Sequence, residues 1–153
     1  MLEGGSGGLG LTTVSRYNWK VHPRKAGTVA DRQEQVDAYV ASWNESDVDK
    51  RWTLIVAAWA EDGRYVAESS DVTGHSAIND NVVRIQEKYP DRIFFRTSDI
   101  FTHKDRARFT WAMLDPAGSA TIGGVDYALF AEDGRLRRIT CVYDRKPRAG
   151  ELD

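Results

Sequence analysis

An α+β domain, three helices followed by an antiparallel meander that they pack against, is what the sequence predicts. Three observations carry it. Between residues 30 and 89, apolar side chains recur at helical spacing in three separate stretches. After Pro90 the apolar period drops from 3.6 to 2. Turn-forming residues then cut the second half into strand-length pieces. Helices first and strands afterwards, rather than in alternation, is the order of a fold whose helices sit on one face of a curved sheet.

In the first helix, 30–44, Val36, Tyr39, Val40 and Trp43 form one stripe. Asn44-Glu45-Ser46-Asp47 breaks it, and Ser46 or Asp47 is placed to cap a second helix, 47–60. There Trp52, Ile55, Val56 and Trp59 repeat the spacing. Asp62-Gly63 reads as a turn and Arg64–Ser69 as a short strand. Thr73-Gly74 opens a third helix, 74–89, with Ile78, Val82, Ile85 and Tyr89 on its apolar side, and Pro90 stops it. The mostly antiparallel sheet spans 92–144. Arg92–His103 is a β-rich run, and Lys104-Asp105 a turn. In the next strand, Arg106–Leu114, Phe109, Trp111 and Met113 alternate with Arg108, Thr110 and Ala112. Asp115-Pro116-Ala117-Gly118 and Glu132-Asp133-Gly134 are turns that bound the last two strands, Ser119–Ala131 and Leu136–Asp144. Gly123-Gly124 is too short for a phosphate loop and marks a bulge or a strand bend.

The chain has 153 residues, 41% hydrophobic and 29% charged, with a net charge of −2. That is enough for one sizeable core. The balance of charge argues against a nucleic-acid partner, and no apolar run approaches the ~18 residues of a membrane span. The lone Cys141 excludes an internal disulfide and a Cys-rich zinc site and suits a reducing compartment, so a cytoplasmic location is expected. No His or carboxylate cluster has metal-ligand spacing, and neither metal nor cofactor is expected. Residues 1–28 hold five of the 13 glycines within the first ten positions, and 1–27 carry a charge of +3, which leaves −5 on the rest. They are expected to be a flexible or loosely attached basic extension, in which Tyr17, Trp19 and Val21 alternate with polar residues as a short edge strand would. The domain covers 29–146 and a tail 147–153.

Asp126 is the most informative residue. It interrupts the apolar strand Val125-Asp126-Tyr127-Ala128-Leu129-Phe130, where an unpaired carboxylate is expensive to bury. It must pair with Arg or Tyr, or rise in pKa until it serves as an acid. Parity puts Gly124 and Ala128 on its face of the sheet and Val125, Tyr127 and Leu129 on the other.

Six segments in order resemble the nuclear-transport-factor-2-like (NTF2-like) superfamily, in its SnoaL-like (polyketide-cyclase-like) and ketosteroid-isomerase-like branches. They are Tyr39–Asp47, Trp59–Tyr65, Gly74–Ile78, Arg108–Trp111, Gly124-Val125-Asp126 and Asp133–Leu136. The resemblance covers about residues 30–145 and implies a cone, with the sheet wrapped round the helices and an apolar pocket at one end. Trp59, Tyr65, Phe109, Trp111, Met113, Cys141 and Tyr143 are then the expected wall for a small apolar organic ligand. It also implies a homodimer through the outer sheet face, where Arg108, Thr110, Tyr127, Leu129, Thr140 and Val142 fall.

In the isomerase-like pattern Asp126 is the protonated acid of an oxyanion hole and Tyr39 its phenol partner. The general base of that pattern is an Asp after the second helix, where this chain has Ala67, with Glu68 one residue on and so turned to the other face. The SnoaL-like branch is therefore the closer match. Glu68, re-aimed by a bulge, and His75 at the mouth are the remaining bases. An epoxide-hydrolase reading needs an Asp-Arg-Asp set on the central strands, where Thr110 and Trp111 stand. Two functions stay open: a cofactor-free acid–base enzyme (isomerase, cyclase or dehydratase) acting on an apolar carbonyl or polyketide-like substrate, or a non-catalytic ligand-binding or scaffolding protein.

Overall fold

The computed structural model describes residues 29–145. The expectations for residues 1–28 and 147–153, including the edge strand at Tyr17–Val21, lie outside the described residues. Three helices, α1 (Val29–Asn44), α2 (Val48–Ala58) and α3 (His75–Lys88), pack against an open curved sheet. Its seven strands are β1 (Trp59–Ala67), β2 (Ser70–Thr73), β3 (Ile93–Arg96), β4 (Phe101–His103), β5 (Arg106–Leu114), β6 (Ala120–Phe130) and β7 (Leu136–Arg145). The strand order is β2-β1-β7-β6-β5-β3, with β4 also on β5. Only β1 and β7 run parallel.

Helix ends and turns follow local chemistry. Asp47 caps α2, its Oδ1 accepting from the Lys50 N–H at 2.9 Å. Asp47→Ala is expected to lower the unfolding free energy by about 1 kcal/mol, read from the urea midpoint. Buried Arg51 ties the α1–α2 turn to α3, donating to the Glu45 and Ser46 carbonyls and to Asn79 Oδ1. At the β5–β6 turn Gly118 takes φ 86°, a conformation glycine reaches without strain, and the Ser119 N–H bonds Asp115 Oδ1.

The structure departs from the sequence reading in three places. The second helix ends at Ala58, and Trp59-Ala60 already belong to β1. Asp62-Gly63 is not a turn. It lies where the β1–β7 register shifts between Trp59 and Arg64, and Gly63 is buried so tightly that a Cβ would come within 2.6 Å of the Trp59 ring. The real turn follows at Glu68-Ser69, and β2 adds a strand that periodicity did not disclose. The run 92–103 splits into β3 and β4, because Ser98 leaves the ladder to accept the Thr110 N–H with its hydroxyl.

Parity along the last strands holds. Phe109, Trp111, Met113, Asp126, Ala128, Ile139 and Cys141 are buried beneath the helices. Arg108, Tyr127 and Val142 are exposed on the outer face. Gly123-Gly124 is a register shift against β7, and a Cβ on Gly124 would lie 2.3 Å from the Val142 carbonyl oxygen.

Candidate functional site

α1 aims Tyr39 and, one turn on, Trp43 into the curve of the sheet, and β6 brings Asp126 up to meet them. The Tyr39 hydroxyl donates to Asp126 Oδ2 at 2.7 Å, and both side chains are sealed from solvent. Asp126 Oδ1 has no hydrogen-bond partner among the described residues. Burial pushes the Asp126 carboxyl up to about 7, against the opposing pull of the Tyr39 hydroxyl, the Cys141 thiol and the Trp111 indole. Cys141 and Trp111 lie near enough to favour the charged carboxylate, but neither closes a hydrogen bond of normal geometry on it, and the Trp111 N–H is unpartnered.

The same desolvation raises the Tyr39 and Tyr65 phenols and the Cys141 thiol, so all three keep their protons near neutrality. Cys141 is thereby a poor nucleophile. With Asp126 neutral, Oδ1 has a proton to give. With it charged, Oδ1 is a buried acceptor. The arrangement therefore offers a proton donor or strong hydrogen bond to one oxygen atom of a bound molecule.

A cavity of about 20 Å³ is lined by Trp43, Tyr65, Phe94, Trp111 and Tyr143 among others, and neither Tyr39 nor Asp126 belongs to its lining. Tyr65, Trp111, Met113 and Tyr143, expected in the wall, do line it. Trp59 and Phe109 instead back Tyr39, with ring centroids 5.8 and 6.2 Å from its ring, and Cys141 lies beside Asp126. Glu68 is exposed in the β1–β2 turn, near enough for its charge to raise the Tyr143 phenol. His75 is half-buried at the start of α3, with Nε2 2.8 Å from the Trp59 carbonyl and its ring edge-on to Trp52. The structure thus brings Asp126 and Tyr39 together and leaves Glu68 and His75 outside their contact. Trp43, Phe94 and Tyr89 line the cavity too, and sequence reading did not single them out as wall. Trp43 had a signal, since it follows Tyr39 by one helical turn.

Among the described residues, no helix is long and apolar enough to cross a membrane, and no three His, Cys, Asp or Glu side chains are grouped to hold a metal ion.

The curved sheet and its helices correspond to a known class. A candidate isomerase of the SnoaL-like family from Agrobacterium tumefaciens superposes with a TM-score of 0.71 at 28% identity, over 75% of this chain and 98% of that one. An NTF2-like protein of unknown function from Exiguobacterium sp. 255-15 gives 0.57 at 21%, over 78% and 100%. A candidate SnoaL-like polyketide cyclase from Jannaschia sp. CCS1 gives 0.62 at 12%, over 80% and 92%. No protein-family model and no curated protein matches the sequence. The chain belongs to the NTF2-like superfamily. Within it, its likeness runs to the SnoaL-like proteins.

Proposed function

We propose that this is a SnoaL-like acid–base enzyme that binds a small, largely apolar carbonyl compound and stabilises its enolate. The observation that carries this reading is the buried Tyr39–Asp126 pair with its open Oδ1. In the proposed reaction Glu68, from the rim beside Tyr143, removes a proton α to the carbonyl. The electron pair moves onto the carbonyl oxygen, which accepts a hydrogen bond from protonated Asp126 Oδ1. Tyr39 holds Oδ2 and so aims the acid. Return of the proton to another carbon completes an isomerisation, and return to the same carbon exchanges it with solvent.

Deuterium uptake at the α-carbon of α-tetralone in heavy water, followed by proton NMR, tests the reading. The protein is expected to accelerate uptake above the buffer rate. Asp126→Leu and Glu68→Gln are each expected to lower the rate about 10²-fold. A second reading, a non-catalytic binding domain, is favoured by one observation: neither Glu68 nor His75 touches the Asp126 pair, and His75 is engaged by the Trp59 carbonyl. Binding of α-tetralone with no uptake above buffer would establish it instead.

We also propose that two copies associate through the outer sheet face. Tyr127 and Val142 are half exposed there, beside Arg108 stacked on Phe101 with its guanidinium carbon 4.7 Å from the ring. Light scattering is expected to give a dimer at micromolar concentration and a monomer for Tyr127→Glu.

A further inference from the structure

The outer face of the sheet carries two adjoining hollows, of about 390 and 280 Å³. Arg106 and Tyr127 line both, so the two form one groove across β5 and β6. Arg138 and Leu129 extend it toward β7, and Phe101 and Arg108 toward β4. Its volume is that of a small-molecule site.

Strand register explains why positive charge gathers there. Along one row across the sheet, Arg106 stands opposite Leu129, Leu129 opposite Arg138, and Arg138 opposite Arg64. In the next row Arg108 stands opposite Tyr127. Neighbouring strands lie about 4.8 Å apart, so the backbones of Arg106 and Arg138 are about 10 Å apart. Their apolar stems have Leu129 between them, and both guanidinium heads can reach one molecule above it.

The acids of this face do not neutralise the groove. Asp71 gives both carboxylate oxygens to Arg64, at 2.8 and 2.7 Å, and feels Arg138 only at longer range. Asp105 lies 3.9 Å from Arg106, with both side chains well exposed, a pairing that contributes little. Among the described residues, Arg108 and Arg138 have no carboxylate at ion-pair distance. Arg138 donates its Nε to Thr140 Oγ1 at 3.2 Å, which leaves its terminal N–H groups for a partner. Like charges directly opposite each other destabilise a sheet, and Arg138 opposite Arg64 is such a pair. A chain that gives up sheet stability to gather guanidinium groups marks a functional place.

The planar guanidinium fork matches the oxygens of phosphates and carboxylates. The chain beyond residue 27 carries −5, so a long polyanion meets repulsion around the groove and a short one does not. We propose that the groove binds a small molecule bearing two or more phosphate or carboxylate groups, and that this anion bridges two copies of the chain. The bridge rests on the association through the outer sheet face given above, whereas the groove is complete in one copy. That association brings two arginine-lined grooves onto one interface, a repulsion that a shared anion removes.

Tripolyphosphate and citrate, titrated into the full chain by calorimetry at fixed ionic strength, test the groove, with acetate as the singly charged control. At least one of the two is expected to bind about 30-fold tighter than acetate, and the tighter one identifies phosphate or carboxylate as the group selected. Arg138→Gln is expected to weaken that binding about tenfold, and the Arg106→Gln, Arg138→Gln double variant to reduce it to the level of acetate. Lys50→Gln removes the same charge from exposed α2, on the helix side of the sheet, and is expected to leave affinity unchanged. No preference over acetate, or equal losses for Lys50→Gln and Arg138→Gln, would overturn the site. Light scattering over a range of protein concentration reads the bridge. Saturating anion is expected to lower the dissociation constant of the dimer at least about tenfold, and to leave that of the double variant unchanged. A dimer indifferent to the anion would overturn the bridge while calorimetry upholds the groove. A monomer under all conditions would overturn the association through this face as well.

Discussion

Raising the pH from about 4 to about 8 is expected to destabilise the protein through one carboxyl, that of Asp126. Burial lifts its folded-state value to about 7, against about 3.9 when unfolded. Between those two values the folded chain binds a proton that the unfolded chain has released. Stability therefore falls as pH rises through this window, and levels off above the folded value. The shift corresponds to a ceiling of about 4 kcal/mol. Asp71 and Asp133 act in the opposite sense. Hydrogen bonds from Arg64 and from the Arg135 backbone lower their pKa values, so what they contribute is lost toward acid. Urea unfolding as a function of pH checks the expectation. The Asp126→Asn chain should lose the decline between pH 5 and pH 8 and exceed the parent chain in stability at pH 8. An unchanged slope in that variant would assign the decline to another group.

Gly124→Ala is expected to lower stability by about 3 kcal/mol, though it adds a single methyl group. The new Cβ would lie 2.3 Å from the Val142 carbonyl oxygen and 3.1 Å from the Tyr143 Cα, both backbone atoms with no rotamer to escape into. β6 and β7 would have to part next to Asp126 and Cys141, which face each other across that pair. The same experiment at Gly118 separates space from conformation. Nothing lies within 4 Å of a Cβ there, but φ is 86°, so Gly118→Ala is expected to cost about 1–2 kcal/mol by backbone strain alone. Urea midpoints for the two variants give the comparison. Equal losses would mean that the β6–β7 approach relaxes without penalty.

The helix stripes and the alternation of β5, β6 and β7 were legible because each is set by a local period. Tyr39 and Asp126 were legible for a related reason. A carboxylate amid Val125, Tyr127 and Ala128 demands a partner, and parity says which way it points. The Asp62-Gly63 bulge was hidden, because it answers to the packing of Gly63 on Trp59 and to a pairing with β7, and neither is local. The stacking of Phe94 on Trp43, with ring centroids 5.4 Å apart, was hidden in another way. Trp43 read as core, and nothing in its neighbourhood tells that Phe94, clamped by Asn44 from 50 positions away, would stack on it. A stripe of apolar residues identifies what is buried, but not which of those residues would face a ligand.

The parallel pairing of β1 with β7 also sets the order in which the chain becomes a protein. β1 is made early and pairs β2 at Val72, yet on its other side Tyr65 finds its neighbour only at Ile139, in the last strand described. Tyr39 and Asp126 meet across 87 positions. Contacts so distant in sequence put the fold among the slower classes, since loop closure must precede their reward. As the chain leaves the ribosome, the inner edge of β1 and the far edge of β6 both stand open until β7 emerges to pair with each at once. Unpaired edges are templates for association with other chains. The ten residues of β7 therefore govern how long the nascent chain is exposed to aggregation, as well as closing the sheet.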